Sequence, residues 1–286
     1  LLADIQGLKG FSARQIAATA GGAWPGLKTI RLELPGVQGA GEVFPERLAR
    51  SLELDSHRRT LAQALGPHLE GVRAVGLPAV LGVSRPTAVL AAIEAHLGMP
   101  VFEIPTMPPG VAGLRLKEAF ERGLAATGVM LYLENRVFRA SRTGAGAFQL
   151  ELGRTEPEVT IHAPAVILAT GRFMGGGLAA DRHRVRETLF DLPVHQPDRR
   201  EEWHRMDFLD PRGHPVNRAG IDVDASFRPL NASGRAADPQ LFAAGSILAH
   251  QDWMRMKCGS GLAMATAWAA VAQAQRLLAQ RGPAAA

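Results

Sequence analysis

The chain has 286 residues and a mass of 30.5 kDa, the length of about two domains. Hydrophobic residues make up 47% and charged residues 21%, which excludes a disordered chain, and a single cysteine, Cys258, excludes an internal disulfide framework. The net charge is +5 and the pI about 10.1, but the basic residues form no block and aromatics are only 6%, a pattern that argues against a nucleic-acid interface. The longest uncharged stretch, Cys258–Gln275, is alanine- and glycine-rich and holds Ser, Thr and Gln, so it is too weakly apolar for a membrane span. The first residues carry charges too early for a signal peptide. The chain begins with Leu1 rather than Met, as a processed or truncated chain would.

In chain order, Ser12–Ala18 is a helix with Ser12 as N-cap, and Leu27–Leu34 alternates like a half-buried strand ended by Pro35-Gly36. Helices are predicted over Pro45–Leu54 and Ser56–Leu69. Ala74–Gly82 is a strand running into a loop. Pro86–Leu97 is a helix with Pro86 near N1, stopped by Gly98, and Pro100–Pro105 is a short strand. Strands separated by helices imply parallel βαβ units. Pro105–Gly110 is a connector, and Gly110–Gly128 an amphipathic helix. Val129–Ser141, Ala147–Gly153 and Glu158–Ala163 then read as three strands of an antiparallel meander. Pro164–Gly171 is a buried strand. Residues 172–238 are a loop-rich excursion with short strands near Ile221–Asp224. Gln240–Ala249 is a strand ending in a glycine turn, and Cys258–Gln280 is a long helix opened by two glycines.

The predicted fold class is α/β. It comprises a doubly wound βαβ module over 1–105 and a second domain over 106–286. Three features of the second domain converge: a strand ending in Ala169-Thr170-Gly171, another ending in Gly245-Ser246, and a helix starting at Gly259-Ser260-Gly261. Ligands sit beyond the carboxyl ends of strands in open α/β sheets. Glycine there lets a flat ring approach the backbone, and a helix N-terminus supplies free N–H groups and partial positive charge. A cofactor is therefore expected among Ala169, Thr170, Gly171, Gly245, Ser246, Asp252, Cys258, Gly259, Ser260, Gly261 and Leu262. His250 could serve as proton acceptor, and Arg255, with Arg172, Arg182, Arg186 and Arg228, could grip a phosphate. Trp203 and His204 read as packing residues. HxxxH and CxxC spacings are absent, so no metal site is expected.

This order of meander, ATG strand, AAGS strand and glycine-opened helix resembles the distal half of a flavoprotein domain of the two-dinucleotide-binding type. The stretches IPTMPPGVAGLRL (Ile104–Leu116), VILATGRFMGGGLAADR (Val166–Arg182), EEWHRMDFL (Glu201–Leu209) and LFAAGSILAHQDWMRMKCGSGLAMATAWAA (Leu241–Ala270) narrow the match. Together they resemble the B subunit of the anaerobic glycerol-3-phosphate dehydrogenases. The resemblance implies flavin (FMN or FAD) and oxidation of sn-glycerol 3-phosphate to dihydroxyacetone phosphate. It also implies a catalytic A subunit, an iron–sulfur, membrane-anchoring C subunit, electrons passing to quinone, and a peripheral place on the inner face of the cell membrane. The family's initial GxGxxG-like element is not found: GAGEVF (Gly39–Phe44) and GAGAFQ (Gly144–Gln149) lack its third glycine, so the chain is expected to begin inside the family pattern. Two alternatives stay open. One is a fumarate-reductase-like flavoenzyme acting alone, with His183, Arg184, His195, His204 and Arg205 as its substrate set. The other is a non-catalytic protein that relays electrons within a complex.

Overall fold

A computed structural model describes residues 1–34, 41–144 and 146–280. The Pro35-Gly36 turn, parts of both GAG segments and the alanine tail lie outside these. The chain forms two compact units, 1–131 and 132–286.

The first unit runs β1 (Leu2–Ile5), α1 (Ala13–Ala20), β2 (Thr29–Leu32), α2 (Pro45–Ser51), α3 (Asp55–Leu65), β3 (Val75–Pro78), α4 (Pro86–Leu97), β4 (Val101–Ile104) and α5 (Val111–Ala126). Its four strands are parallel in the order β2-β1-β3-β4. The strand order reverses between β1 and β3, and antiparallel hairpins play no part, as the helix–strand alternation requires. Local signals set the helix ends. Ser12 accepts a hydrogen bond from the Gln15 amide at 3.3 Å. Pro86 opens α4, and Gly98, at φ 65°, ends it in the left-handed region that a Cβ disfavours. The core gathers Ile5, Leu32, Leu61, Leu65, Leu77, Leu81 and Ile93, each buried aliphatic side chain contributing about 1.5–3 kcal/mol. The loop after β3 is braced from both sides. Glu53 accepts from the Val83 and Ser84 amides at 2.9 and 2.7 Å, and Glu103 accepts from the Leu81 amide at 2.7 Å.

The domain boundary expected at 105/106 falls instead at 131/132. Val111 of α5 is fully buried in the first core, Arg115 holds Glu103 at 2.6 Å, and Glu118 accepts from the Ser84 hydroxyl at 2.8 Å. These contacts tie α5 to the parallel sheet. The strand expected from Val129 begins only at Arg136. Residues 129–133 are exposed, and Glu134 turns the chain at φ 61°.

The second unit opens with the antiparallel meander β5 (Arg136–Arg142), β6 (Phe148–Gly153) and β7 (Val159–Ala163). β8 (Val166–Leu168) follows. The excursion holds β9 (Leu178–Ala180), β10 (Val185–Glu187), β11 (Val194–His195) and β12 (Gly220–Ile221), in two antiparallel pairs. The chain closes with β13 (Leu241–Ala243), α6 (Trp253–Met256) and α7 (Gly259–Gln280). β8 and β13 pair in parallel, Leu241 opposite Val166 and Ala243 opposite Leu168. Arg142 of β5 reaches Asp238 at 2.7 Å and Gln240 at 2.8 Å, which joins the meander to the approach to β13. α7 buries Ala270 and Ala274 against Phe242 and Ala244. Those positions repeat every three to four residues and so share one helix face. The other face leaves Met264, Trp268 and Val271 exposed.

Candidate functional site

β8 and β13 are parallel neighbours, so their carboxyl ends lie side by side. They deliver Ala169-Thr170-Gly171 and Gly245-Ser246 to one place. Gly171 and Gly245 are both left-handed, at φ 67° and 79°, and a Cβ on Gly171 would stand 3.5 Å from Ser246 Oγ. The Gly245 amide donates to Thr266 Oγ1 at 2.8 Å, which clips the early turns of α7 to the end of β13. The Cys258 carbonyl accepts from the Leu262 amide at 2.7 Å and so starts α7. The amides of Gly259, Ser260 and Gly261 precede the first intrahelical bond and are left for a ligand or solvent.

The glycines of the GGG turn are needed for close approach. A Cβ on Gly175 would meet Thr170 O at 2.3 Å, and one on Gly177 would meet Gly171 O at 2.2 Å. This turn seats the backbone directly on the β8 end. A Cβ at Gly245 or at Gly261, by contrast, would meet nothing within 4 Å. The Thr170 hydroxyl is buried without a hydrogen-bond partner, close over Gly177. Open space at two glycines and a helix N-terminus fit an aromatic, anionic cofactor such as a flavin.

Arg172 organises the floor. Its guanidinium donates to the carbonyls of Ser246 (2.8 Å), Asn217 and Gln251. Burial pushes its pKa down, with Asp252 opposing that shift. Asp252 is itself buried. It accepts from the Arg255 amide at 3.4 Å and from Asn217 Nδ2 at 3.5 Å, and it faces Arg255 Nε at 3.6 Å. Gly213 must be glycine here: at φ 74° its Cβ would stand 2.5 Å from Arg255 Nε.

Of the residues expected at a cofactor, the β8 and β13 ends are brought together, α7 reaches them through Thr266, and Cys258 is half-buried just before the start of that helix. Asp252 is taken up by the Arg172–Asn217–Arg255 network. His250 turns elsewhere, its Nε2 2.6 Å from Asp222 Oδ1. Among the phosphate-gripping candidates, Arg228 pairs with Asp224 at 2.7 Å. Trp203 is buried in the second core, as expected. Sequence reasoning missed Thr266, Gly213 and Glu187. The Glu187 carboxylate is buried and accepts from the Leu189 and Phe190 amides at 2.8 and 2.7 Å. None of these three carries a signal visible in the sequence.

In the excursion, a cavity of about 660 Å³ is lined by His195, Arg205, Arg212, His214 and Arg218, with Asp198 and Glu202.

A parallel strand pair ending in glycine turns, with the closing helix clipped to it through Thr266, is the kind of arrangement that can take a nucleotide cofactor. The chain belongs to the FAD binding domain family, which matches residues 18–262, and is accordingly a flavoprotein, with FAD or FMN as cofactor. It is similar to a probable B subunit of anaerobic glycerol-3-phosphate dehydrogenase from Halobacterium salinarum, 32% identical over 282 residues, covering 94% of this chain and 65% of that protein. It is also similar to proteins named as the B subunit of anaerobic glycerol-3-phosphate dehydrogenase in two other organisms. That of Pectobacterium carotovorum is 30% identical over 272 residues, covering 93% of this chain and 63% of that protein. That of Vibrio vulnificus is 28% identical over 252 residues, covering 87% and 57%. The chain thus spans less than two thirds of the length of these curated relatives. No solved structure matches it. Among the described residues, no helix is long and apolar enough to cross a membrane.

Proposed function

We propose that this chain is the flavin-holding part of the B subunit of an anaerobic, quinone-linked glycerol-3-phosphate dehydrogenase. The enzyme would oxidise sn-glycerol 3-phosphate to dihydroxyacetone phosphate. The observation that supports this most is the β8–β13 pair with α7 held to it by Gly245 and Thr266, in a chain similar over nearly all its length to proteins of that name. A flavin held there would supply a hydride acceptor for the substrate's carbinol carbon, the hydroxyl proton going to a base. Gly245, with open space at its Cβ position, and Gly171, beside Ser246, would hold such a group. The amides of Gly259 to Gly261 would lend partial positive charge to a flavin held there. The arginines and histidines of the 660 Å³ cavity suit a phosphate-bearing substrate. His250 is not given the role of base, because Asp222 Oδ1 lies 2.6 Å from its Nε2. The exposed Met264–Trp268–Val271 stripe of α7 is the kind of face that a partner protein covers. This agrees with an assembly containing a catalytic A subunit and an iron–sulfur C subunit that holds the complex at the inner membrane face.

The same cavity chemistry favours a second substrate class, a dicarboxylate handled without partners. One experiment separates the two. The visible spectrum of the purified chain is recorded before and after anaerobic addition of glycerol 3-phosphate, then after fumarate. Flavin bands that bleach with glycerol 3-phosphate support the proposal. Bands unmoved by it, yet restored by fumarate after chemical reduction, support the dicarboxylate reading. A colourless chain that takes up neither added FAD nor added FMN overturns the flavin placement.

A further inference from the structure

His195, Asp222 and His250 converge from three segments far apart in the chain. His195 ends β11 and pairs with Gly220 of β12, and Asp222 directly follows β12. The third segment is fixed by the Ala249 amide on Ile221 O and the His250 amide on Arg218 O, both at 3.0 Å. Strand alternation would return residue 250 to the face of the buried Leu248. The left-handed backbone of His250, φ 66°, turns its ring out to Asp222 instead. A non-glycine residue held there marks a conformation that the surroundings enforce.

The outcome is a compact donor set. His250 Nε2 lies 2.6 Å from Asp222 Oδ1, and the His195 and His250 rings are 4.2 Å apart between centroids. One donor atom from each of the three residues lies within 4.8 Å of the others. A hydrogen bond between His250 and Asp222 accounts for the 2.6 Å contact. It does not account for the second imidazole, which stands 4.2 Å from the His250 ring between centroids and has no side-chain hydrogen-bond partner among the described residues. The His204–His214 pair, 5.3 Å between centroids, differs. The Arg205 amide occupies His214 Nδ1 and the Phe208 carbonyl engages Nε2, both at 3.0 Å.

We propose that His195, Asp222 and His250 bind one divalent transition-metal ion, Zn²⁺ being the plainest candidate, as a two-histidine, one-carboxylate site. Neutral imidazoles with a carboxylate suit zinc at about 2.0–2.2 Å from each donor, whereas magnesium and calcium take oxygen sets. Tetrahedral binding at those lengths separates donors by about 3.3 Å, so the His250–Asp222 contact opens by less than an ångström. Both side chains are exposed enough to move, at 64% and 42%. Three protein donors leave a coordination position open, and His195 also lines the arginine-bearing cavity, so an anionic ligand can complete the shell.

The test uses the 286-residue chain, stripped of metal with a chelator and titrated calorimetrically with zinc chloride. Cobalt(II) is added in parallel and its visible bands recorded. The expected result is one equivalent bound, weakened by at least about tenfold in each of His195→Ala, Asp222→Asn and His250→Asn. Asparagine tolerates the left-handed backbone at 250, and His195→Ala changes an exposed side chain, so a folded variant is available whatever the other two do. Cys258→Ser and His204→Ala should leave binding unchanged. Failure to bind zinc, equal binding by the His195→Ala chain, or loss of binding in Cys258→Ser with a thiolate–cobalt charge-transfer band in the wild type would each overturn the proposal. No flavin enters the measurement, so its outcome is independent of the proposed reaction.

Discussion

The Gly245 amide and the Thr266 hydroxyl meet at 2.8 Å, and the same hydroxyl donates to the Leu262 carbonyl at 2.6 Å. One side chain thereby registers the first turns of α7 against the glycine turn that follows β13. Thr266→Val keeps the shape and removes both bonds. It should lower stability by about 1–2 kcal/mol and reduce flavin retention further than that loss alone explains, because the helix N-terminus is freed to shift. Denaturant midpoints and flavin stoichiometry, measured on the same preparation, check this. Full flavin occupancy in a destabilised variant would reduce Thr266 to a packing residue.

Gly261 has open space where its side chain would be. Gly261→Val should therefore fold with a thermal midpoint close to wild type, yet lose flavin by at least about tenfold in affinity if the proposed placement holds, since the branched side chain would fill space that placement gives to the ring. Equilibrium dialysis against FAD and FMN reads this directly. Unchanged affinity would move the ring away from the start of α7.

Most of the first unit was legible because its signals are local. Pro86 and Gly98 bracket α4, Ser12 caps α1, and alternation marked β2. β1 was not legible. It is four residues long and fully buried, and Asp4 interrupts its apolar run, so neither alternation nor a hydrophobic block announces it. The strand ends at Gly171 and Gly245 were found from order and composition. The residues that fix them were not: Thr266 looks like any threonine in a helix, and Gly213 needs Arg255 and Asp252 nearby before its role can be seen. The His195–Asp222–His250 cluster lay beyond sequence reading for the same reason. Spacing rules find ligands on one element, and these three arrive on separate ones through β11–β12 pairing and one left-handed residue.

Arg172 spans the floor of the site by donating to three carbonyls, those of Ser246, Asn217 and Gln251. Arg172→Met leaves those carbonyls and Asp252 without it and should cost at least about 2 kcal/mol. Arg172→Lys keeps the charge but not the fork and should recover only part of that. Urea unfolding of both variants decides. Equal stability of the lysine variant and wild type would show that charge, not the three-way fork, holds this floor.

Glu53 gives a pH signature to the first unit. Burial raises its pKa, but the amides of Ser84, Val83 and Arg85, with the Arg85 charge, outweigh it and bring the group below its ordinary 4.5. A carboxyl lowered on folding contributes its full stabilisation above the ordinary 4.5 and loses it as pH falls through the folded-state value. Glu53→Gln retains a carbonyl acceptor for the Val83 and Ser84 amides but cannot titrate. It should be less stable than wild type at neutral pH, and the gap should close progressively as the pH drops below 4.5. Denaturant midpoints for the two chains across that range test the sign. A gap that stays constant, or widens in acid, would mean that the braced loop after β3 does not depend on the charge of Glu53.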